Sequence, residues 1–260
     1  GLVMGSALAV GPIISGIVLK FTTWQGLFVI FAIIITLVFL LSFKFIANVM
    51  SLKLDRLDFI SVFSSLGLIG LLFVINQLGK TGVNWTNQFG LLAVSLVMLA
   101  YFVFRQFHIK TPMLELRVLK TFNYDLAVLL TGFSYIALIV TTIIFPLYYQ
   151  EVLKLSPFAS GMSLVPGAVF LSLLNPVTGK LADRFGFKRV LLIGMSMITI
   201  GWGILFVFSS ELNLIGMVIL SMLIEGGNAF VMMPAMTLGA NSLPDSLIAH
   251  GTAVITTVRQ

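Results

Sequence analysis

Residues 179–189 read Gly-Lys-Leu-Ala-Asp-Arg-Phe-Gly-Phe-Lys-Arg, and their surroundings decide the fold. Charged residues are concentrated in this segment, whereas the flanking runs 155–179 and 190–210 are apolar and free of charge up to the segment's own ends. A helix rises about 1.5 Å per residue, so about 20 residues cross a bilayer core of about 30 Å. The segment is therefore predicted to be a short polar connection between two transmembrane helices.

The composition extends this interpretation to the whole chain. Hydrophobic residues make up 59% of the sequence and charged residues 9%, with a mean hydropathy of +1.12. A soluble domain carries about 25% charged residues, so most of this exterior must face lipid. The absence of cysteine excludes disulfides and thiolate metal sites, and His108 and His250 are too far apart in sequence to suggest a metal site. No cofactor or metal is expected.

Charge-poor runs of similar length predict eight transmembrane helices and the start of a ninth near residue 250. The fold class is therefore an all-α polytopic membrane protein. Because apolar runs lie at both ends of the sequence, we expect the chain to be a piece of a longer protein. The predicted spans are 1–19, 25–43, 59–79, 81–104, 126–150, 155–179, 190–210 and 212–236.

The basic residues predict the orientation of these helices. If the spans alternate, the loops 44–58, 105–125 and 180–189 lie on one side and hold eleven of the Lys and Arg residues, against three on the other side. The positive-inside rule then makes the first side cytoplasmic. The net charge of +6 is explained by these anchors beside anionic lipid, so no nucleic-acid partner is predicted.

The basic segment also carries a recognisable motif. Gly179 would let the preceding helix end, Gly186 would permit a tight turn, and Asp183 could cap helix amides. The run resembles the signature cytoplasmic loop of the major facilitator superfamily, Gly-x-x-x-Asp-Arg-x-Gly-x-Lys/Arg-Lys/Arg. The positions that match are Gly179, Asp183, Arg184, Gly186, Lys188 and Arg189. The resemblance implies a gating role for this loop.

A second motif lies in the first span, where small residues recur at helical spacing from Ala7 to Gly16. Close helix packing alone would explain such residues. The string resembles the antiporter motif of the same superfamily, Gly-x-x-x-Gly-Pro-x-x-Gly-Gly, which occurs in its fifth helix. Ala7 and Ser15 depart from the motif, but both are small. The resemblance assigns this motif to Gly11, Pro12, Ser15 and Gly16, and it implies exchange against protons.

The spacing of the two motifs favours one subfamily. If residues 1–19 are the fifth helix, four spans rather than two separate the sixth helix from the loop motif. This resembles fourteen-helix drug:proton antiporters, from helix five to the start of helix thirteen. The resemblance implies four parts. Residues 1–46 are the last two helices of the N-terminal bundle, and residues 47–106 are two inserted helices. Residues 107–122 are a cytoplasmic linker, in which a short amphipathic stretch starts at Pro112, and residues 123–260 are the first helices of the C-terminal bundle.

The resemblance implies a proton-coupled multidrug efflux transporter of the plasma membrane. It would work by alternating access, with the lipid bilayer, protons and a hydrophobic or cationic small molecule as partners. One alternative is an exporter dedicated to a single metabolite, antibiotic or siderophore, and another is a non-transporting membrane protein. No enzyme activity is expected, because the sequence contains no Ser-His-Asp set and no phosphate-binding loop.

Glu225 is the charge that interrupts the run 212–236. An ionised carboxylate at mid-membrane depth costs about 2.5–3.5 kcal/mol on insertion scales, so it must be paired, protonated or in contact with water. We predict a proton-coupling or substrate role for Glu225 and Asn228. The alternatives for Glu225 are a structural ion pair or a side chain that snorkels toward the interface. Phe133 and Tyr135 are candidates for lining a drug pathway. Asn175, near a span end, is expected to be solvated at the interface.

Overall fold

The computed structural model describes residues 2–45, 58–78, 80, 84–109 and 112–259. These residues form nine α-helices and no strand, with short 3-10 helices at Leu116–Lys120 and Asp245–Leu247 and a π-helical turn at Tyr148–Val152. The α-helices are Leu2–Phe21 (α1), Trp24–Phe45 (α2), Phe59–Gln77 (α3), Trp85–His108 (α4), Phe122–Leu147 (α5), Pro157–Phe185 (α6), Phe187–Phe208 (α7), Leu214–Asn241 (α8) and Ile248–Val258 (α9).

Seven helices in the described part of the chain, α2 to α8, are long and apolar enough to cross a membrane. Helix α1 has 20 residues and coincides with the first predicted span, while α9 begins where the ninth was predicted. The prediction of an all-α polytopic membrane protein is therefore confirmed.

The end of α6 differs from the prediction. Helix α6 continues past Gly179 to Phe185, so the interpretation of Gly179 as a helix end is wrong. The turn lies at Gly186, whose φ of +88° favours glycine and whose amide donates to the Ala182 carbonyl at 2.9 Å. Hydropathy marks where a helix leaves the bilayer, and a helix can continue beyond that point with charged residues in its last turns.

The segment after α4, predicted to be a linker with a short amphipathic stretch from Pro112, contains the short 3-10 helix Leu116–Lys120. The Glu115 carboxylate accepts from the Arg117 amide at 3.3 Å, and the side chains of Leu116 and Val118 are buried. These two apolar anchors hold the linker against the protein.

By their contacts, the helices fall into two compact units, of which the first comprises residues 1–49, 123–242 and 255–260. Within it, α6 packs against α1 and α8, and α7 packs against α8. Helix α8 is buried around most of its circumference, with buried residues at thirteen positions, whereas the described side chains of α2 are all at least partly exposed. Polar side chains in the middle of α8 therefore meet protein rather than lipid.

The second unit comprises residues 50–122 and 243–254. Its helices α3 and α4 pack closely where the backbone of Gly67 faces Ser95. At one end, Arg105 forms a bidentate pair with Asp58, with N–O distances of 2.7 and 2.9 Å. Beside it, Gln106 donates to the Ser61 hydroxyl at 2.7 Å and accepts from the Leu114 amide at 3.1 Å. These contacts fasten the helix pair to the linker.

Replacing Asp58 should loosen this end of the hairpin. Hydrogen bonds from Arg105 and then Ser61 hold the pKa of the Asp58 carboxyl well below its ordinary value. The pairing therefore stabilises the fold at neutral pH, above the unfolded-state pKa, and is lost only as the pH falls through the depressed folded-state pKa. For Asp58→Asn we expect faster amide hydrogen exchange at the adjoining ends of α3 and α4 at pH 7, measured by mass spectrometry.

The matched control is Asp245→Asn, which alters an exposed aspartate of the same unit. Because the pair at Asp58 is partly exposed, high salt should reduce the difference between Asp58→Asn and the unmodified protein. Equal exchange in both variants would show that the pair does not stabilise the hairpin.

Candidate functional site

A group of buried polar side chains lies in the middle of α5 and α8, and we call it the polar centre: Ser134, Thr141, Ser221, Glu225 and Asn228. Glu225 is only 6% exposed and Asn228 is fully buried. The rise of a helix puts Glu225 about 16 Å beyond Leu214, about half of a bilayer core of about 30 Å. The polar centre therefore lies near the membrane midplane.

Hydrogen bonds within the polar centre point toward the carboxylate. The Ser134 hydroxyl donates to Oδ1 of Asn228 at 2.9 Å, which turns the Asn228 amide nitrogen toward Glu225. That nitrogen donates to Oε2 of Glu225 at a longer 3.4 Å. Across the described residues, no Lys, Arg or His forms an ion pair with Glu225. An ionised carboxylate with one long hydrogen bond is poorly compensated for the loss of water.

A small cavity opens directly beside Glu225. Its volume is about 40 Å³, and the lining residues are Leu138, Thr141 and Thr142 of α5, Leu164, Ala168 and Leu171 of α6, and Ser221 and Glu225 of α8. A water molecule needs about 10–15 Å³ by this measure, so the cavity can hold water but is too small for a drug molecule.

The hydroxyls in the cavity wall are oriented by the helices themselves. Thr141 donates to the Ala137 carbonyl at 2.8 Å, and Ser221 donates to the Val218 carbonyl at 2.7 Å. Their protons are thus engaged, which leaves oxygen lone pairs available to accept from water in the cavity. With the carboxylate of Glu225, the wall offers several acceptors, and such a set suits bound water or a proton carrier.

Helix α6 closes the other side of the polar centre. A Cβ on Gly167 would lie 3.1 Å from Oγ of Ser221 and 3.3 Å from Cγ of Glu225, so the glycine allows α6 to approach. Farther along α6, Thr178 donates to the Ala229 carbonyl of α8 at 2.9 Å. Asn175 is buried, and its Oδ1 has no hydrogen-bond partner among the described residues, so the prediction of interfacial solvation for it is wrong.

The other two predicted site residues of α5 lie elsewhere. The ring of Tyr135 is 4.9 Å from the Arg259 guanidinium and lines a second cavity. Tyr135 follows Ser134 in α5, and adjacent residues of a helix point in different directions, so Tyr135 faces away from the polar centre. Phe133 is 59% exposed and is not among the residues that line either cavity. The structure therefore brings Glu225 and Asn228 together and places Tyr135 and Phe133 apart from them.

Ser134, Thr141 and Ser221 were not predicted as site residues. A signal for two of them exists in the sequence, because Thr131, Ser134 and Thr141 recur on one face of α5 at helical spacing, and all three are buried. Hydroxyl side chains are common in membrane helices, where they bond to their own backbone, so that pattern alone does not single out a site.

Gly16, in the described part of the small-residue motif of α1, lies close to α6. A Cβ on Gly16 would lie 3.1 Å from the ring of Phe158, whereas one on Gly11 would meet no heavy atom within 4 Å. Ser15 is half-buried, and the side chain of Pro12 lies outside the described residues. The close approach at Gly16 is consistent with a packing role for this end of the motif.

The basic segment is largely exposed. Asp183 and Arg184 lie in the last turn of α6, where the Arg184 guanidinium is 5.3 Å from the ring of Phe185. Lys188 and Arg189 are exposed in the first turn of α7. Asp183 forms no ion pair within the described part of the chain, and no group of three or more His, Cys, Asp or Glu residues there could hold a metal.

Comparison with known proteins agrees with this architecture. The family described as Major Facilitator Superfamily matches residues 1–260. The chain is 32% identical over 261 residues to the lincomycin resistance protein LmrB of Listeria monocytogenes, covering all of this chain and 55% of that protein. It is 34% identical to the uncharacterized MFS-type transporter YcnB of Bacillus subtilis, with the same coverage.

A more distant relative is the multidrug efflux pump LfrA of Mycolicibacterium smegmatis, 25% identical over 224 residues that cover 86% of this chain and 44% of that protein. The chain thus spans about half the length of the curated relatives it matches.

Proposed function

Because the chain belongs to the major facilitator superfamily, we propose that the full-length protein exports hydrophobic or cationic small molecules in exchange for protons. The superfamily consists of multi-pass membrane transporters rather than enzymes, and the seven membrane-length helices agree with it. The observation that carries the proton-coupled part of the proposal is the buried carboxylate of Glu225 beside a water-sized cavity.

Glu225 can serve as the proton carrier if its surroundings favour the neutral carboxyl when the cavity holds little water and the carboxylate when the cavity is hydrated. In this small, mainly apolar cavity, without an ion-pair partner in the described part of the chain, the neutral carboxyl is the less costly form. Admission of more water, together with the Asn228 amide that Ser134 orients, would stabilise the carboxylate and release the proton. A change in cavity hydration thus becomes a change in protonation.

Alternating access supplies that change in hydration. The rocking of two bundles would open the midplane cavity to one side of the membrane and then to the other. The cavity of about 40 Å³ at Glu225 must widen before a drug can enter, so substrate entry and hydration of Glu225 would accompany each other. In this scheme, a drug and a proton occupy the transporter alternately.

The names of the relatives support a substrate class and leave one alternative. LfrA is named as a multidrug efflux pump, which favours broad specificity, whereas LmrB is named for resistance to a single antibiotic, which favours a dedicated exporter. We propose the broad specificity. We also propose the domain division into 1–46, 47–106, 107–122 and 123–260. We propose that the motif at residues 11–16 takes part in exchange against protons and that the loop at residues 179–189 has a gating role.

Competition between unrelated compounds should test the breadth of transport. We expect inverted vesicles that contain the full-length protein to accumulate ethidium and a neutral hydrophobic dye when their interior is acidified, and each dye to inhibit uptake of the other. Collapse of the pH difference with nigericin should abolish both signals. Uptake of one compound alone would indicate a dedicated exporter, and absence of any proton-driven uptake would contradict the proposed function.

A further inference from the structure

The second cavity of the first unit, which we call the arginine pocket, is much larger than the one at Glu225. Its volume is about 440 Å³, within the range of about 300–1,000 Å³ that is typical of small-molecule sites. Its walls are Gly132, Tyr135, Ile136, Ile139 and Val140 of α5, with Val258 and Arg259. The wall is thus mainly apolar and carries one positive charge.

Arg259 lies deep in the membrane without a carboxylate partner in the described part of the chain. It follows Ile248, the first residue of α9, by about 16 Å of helix rise, which is about half of the bilayer core. Its Nε is buried with no hydrogen-bond partner among the residues that the structure describes, and Nη1 contacts the sulfur of Met236 at 3.9 Å. Arginine keeps its charge in proteins, and a thioether is a weak acceptor.

Tyr135 holds the guanidinium in place. The ring centroid lies 4.9 Å from the Arg259 guanidinium carbon, a cation–π contact that uses none of the guanidinium's N–H donors. A planar guanidinium with unused donors matches the oxygen atoms of a carboxylate, sulfonate or phosphate. The isoleucine and valine side chains beside it match an apolar body attached to such an anion.

We propose that the arginine pocket binds the anionic group of an amphiphilic small molecule. The anion pairs with Arg259, and the apolar part packs against Ile136, Ile139 and Val140. This extends the substrate range of the proposed function, whose cationic compounds would be repelled by Arg259. A lipid headgroup offers the same phosphate chemistry, but headgroups lie at the interface, whereas Arg259 lies near the midplane, so a small molecule fits the depth better.

A matched pair of dyes tests this inference without requiring transport. 1-Anilinonaphthalene-8-sulfonate and N-phenyl-1-naphthylamine share an aromatic body and differ in the sulfonate. With the full-length protein in phosphatidylcholine nanodiscs, Arg259→Gln should weaken binding of the sulfonate dye about tenfold or more, as expected for a lost charge-assisted contact. It should leave the neutral dye unchanged, and Arg259→Lys should retain most of the sulfonate affinity.

A second variant tests the location independently of the charge. Ile139→Trp should fill the arginine pocket while keeping Arg259, and it should weaken both dyes. Nanodiscs that contain phosphatidylglycerol distinguish the source of the anion: competition with the sulfonate dye that is lost in Arg259→Gln would assign the pocket to a lipid headgroup, and no competition would assign it to a free amphiphile.

Unchanged affinity for the sulfonate dye in Arg259→Gln and in Ile139→Trp would overturn the anion site. Because the readout is equilibrium binding, it is independent of proton-driven export. Unchanged sulfonate-dye affinity in both variants, with intact export, would refute the pocket alone. The expected loss of sulfonate-dye affinity in Arg259→Gln, with no proton-driven export by the unmodified protein, would refute the proposed function alone.

Discussion

Replacing Glu225 by glutamine in the full-length protein should abolish proton-driven export and preserve substrate exchange. Glutamine has almost the same shape and keeps an oxygen acceptor, but it cannot take up or release a proton. Uphill transport in vesicles with an imposed pH difference should therefore fall to the level of protein-free vesicles. Exchange of labelled for unlabelled substrate across the membrane at equal pH needs no net proton movement and should continue.

The matched control is Glu211→Gln, the same substitution at an exposed residue between α7 and α8. It should leave both uphill transport and exchange unchanged. A purely structural role for Glu225 would instead reduce exchange and uphill transport together and lower the unfolding temperature. Full uphill export by Glu225→Gln, with the proton dependence of the unmodified protein, would exclude Glu225 as the proton carrier.

If Asn228 stabilises the carboxylate of Glu225, replacing Asn228 should reduce uphill export less than Glu225→Gln does and more than Glu211→Gln does. Its amide reaches Oε2 of Glu225 at 3.4 Å and is oriented by the hydroxyl of Ser134, from which it is separated by 94 residues in sequence. These two hydrogen bonds, from Ser134 to Asn228 and from Asn228 to Glu225, thus connect α5 with α8. A motion that separates these helices would remove the orienting contact and change how well the site supports a negative charge.

The membrane helices could be predicted closely because one physical property defines them. The run 25–43 became α2, Trp24–Phe45, and the run 59–79 became α3, Phe59–Gln77, since charged or turn-forming residues limit apolar runs at both ends. The end of α6 could not be predicted in this way. Beyond Gly179 the sequence becomes charged, and hydropathy therefore gives no signal that the helix continues to Phe185.

The candidate site was only partly predictable, for a different reason. Glu225 could be identified as a candidate from the sequence, because a charge inside a membrane-spanning apolar run is energetically costly whatever that helix packs against. Ser134 and Thr141 gained importance only through the packing of α5 against α8 and α6, which hydropathy does not encode. Arg259 was visible as a charge near the last helix, but its contact with Tyr135 depends on how residues 255–259 pack against α5 within the first unit.

The crossing of α7 and α8 should be the most sensitive packing contact of the first unit. A Cβ on Gly194 of α7 would lie 2.8 Å from the Gly227 carbonyl oxygen and 2.7 Å from Cβ of Phe230. The carbonyl belongs to the backbone of α8, so the helices must separate to admit even one methyl group. Overpacking of this kind costs about 1–3 kcal/mol, and Gly194→Ala should lower the unfolding temperature of the full-length protein by several degrees.

Gly203→Ala provides the control on the same helix, because a Cβ at Gly203 would meet no heavy atom within 4 Å. There the methyl group adds only helix propensity, which favours alanine by about 0.5–1 kcal/mol, so the unfolding temperature should stay equal or rise.

Gly227 and Asn228 are adjacent, and displacement of α8 at Gly227 would also move the Asn228 amide away from Glu225. Gly194→Ala should therefore reduce uphill export at temperatures where it remains folded, whereas equal stability and equal export in both variants would show that the crossing is not constrained by these glycines.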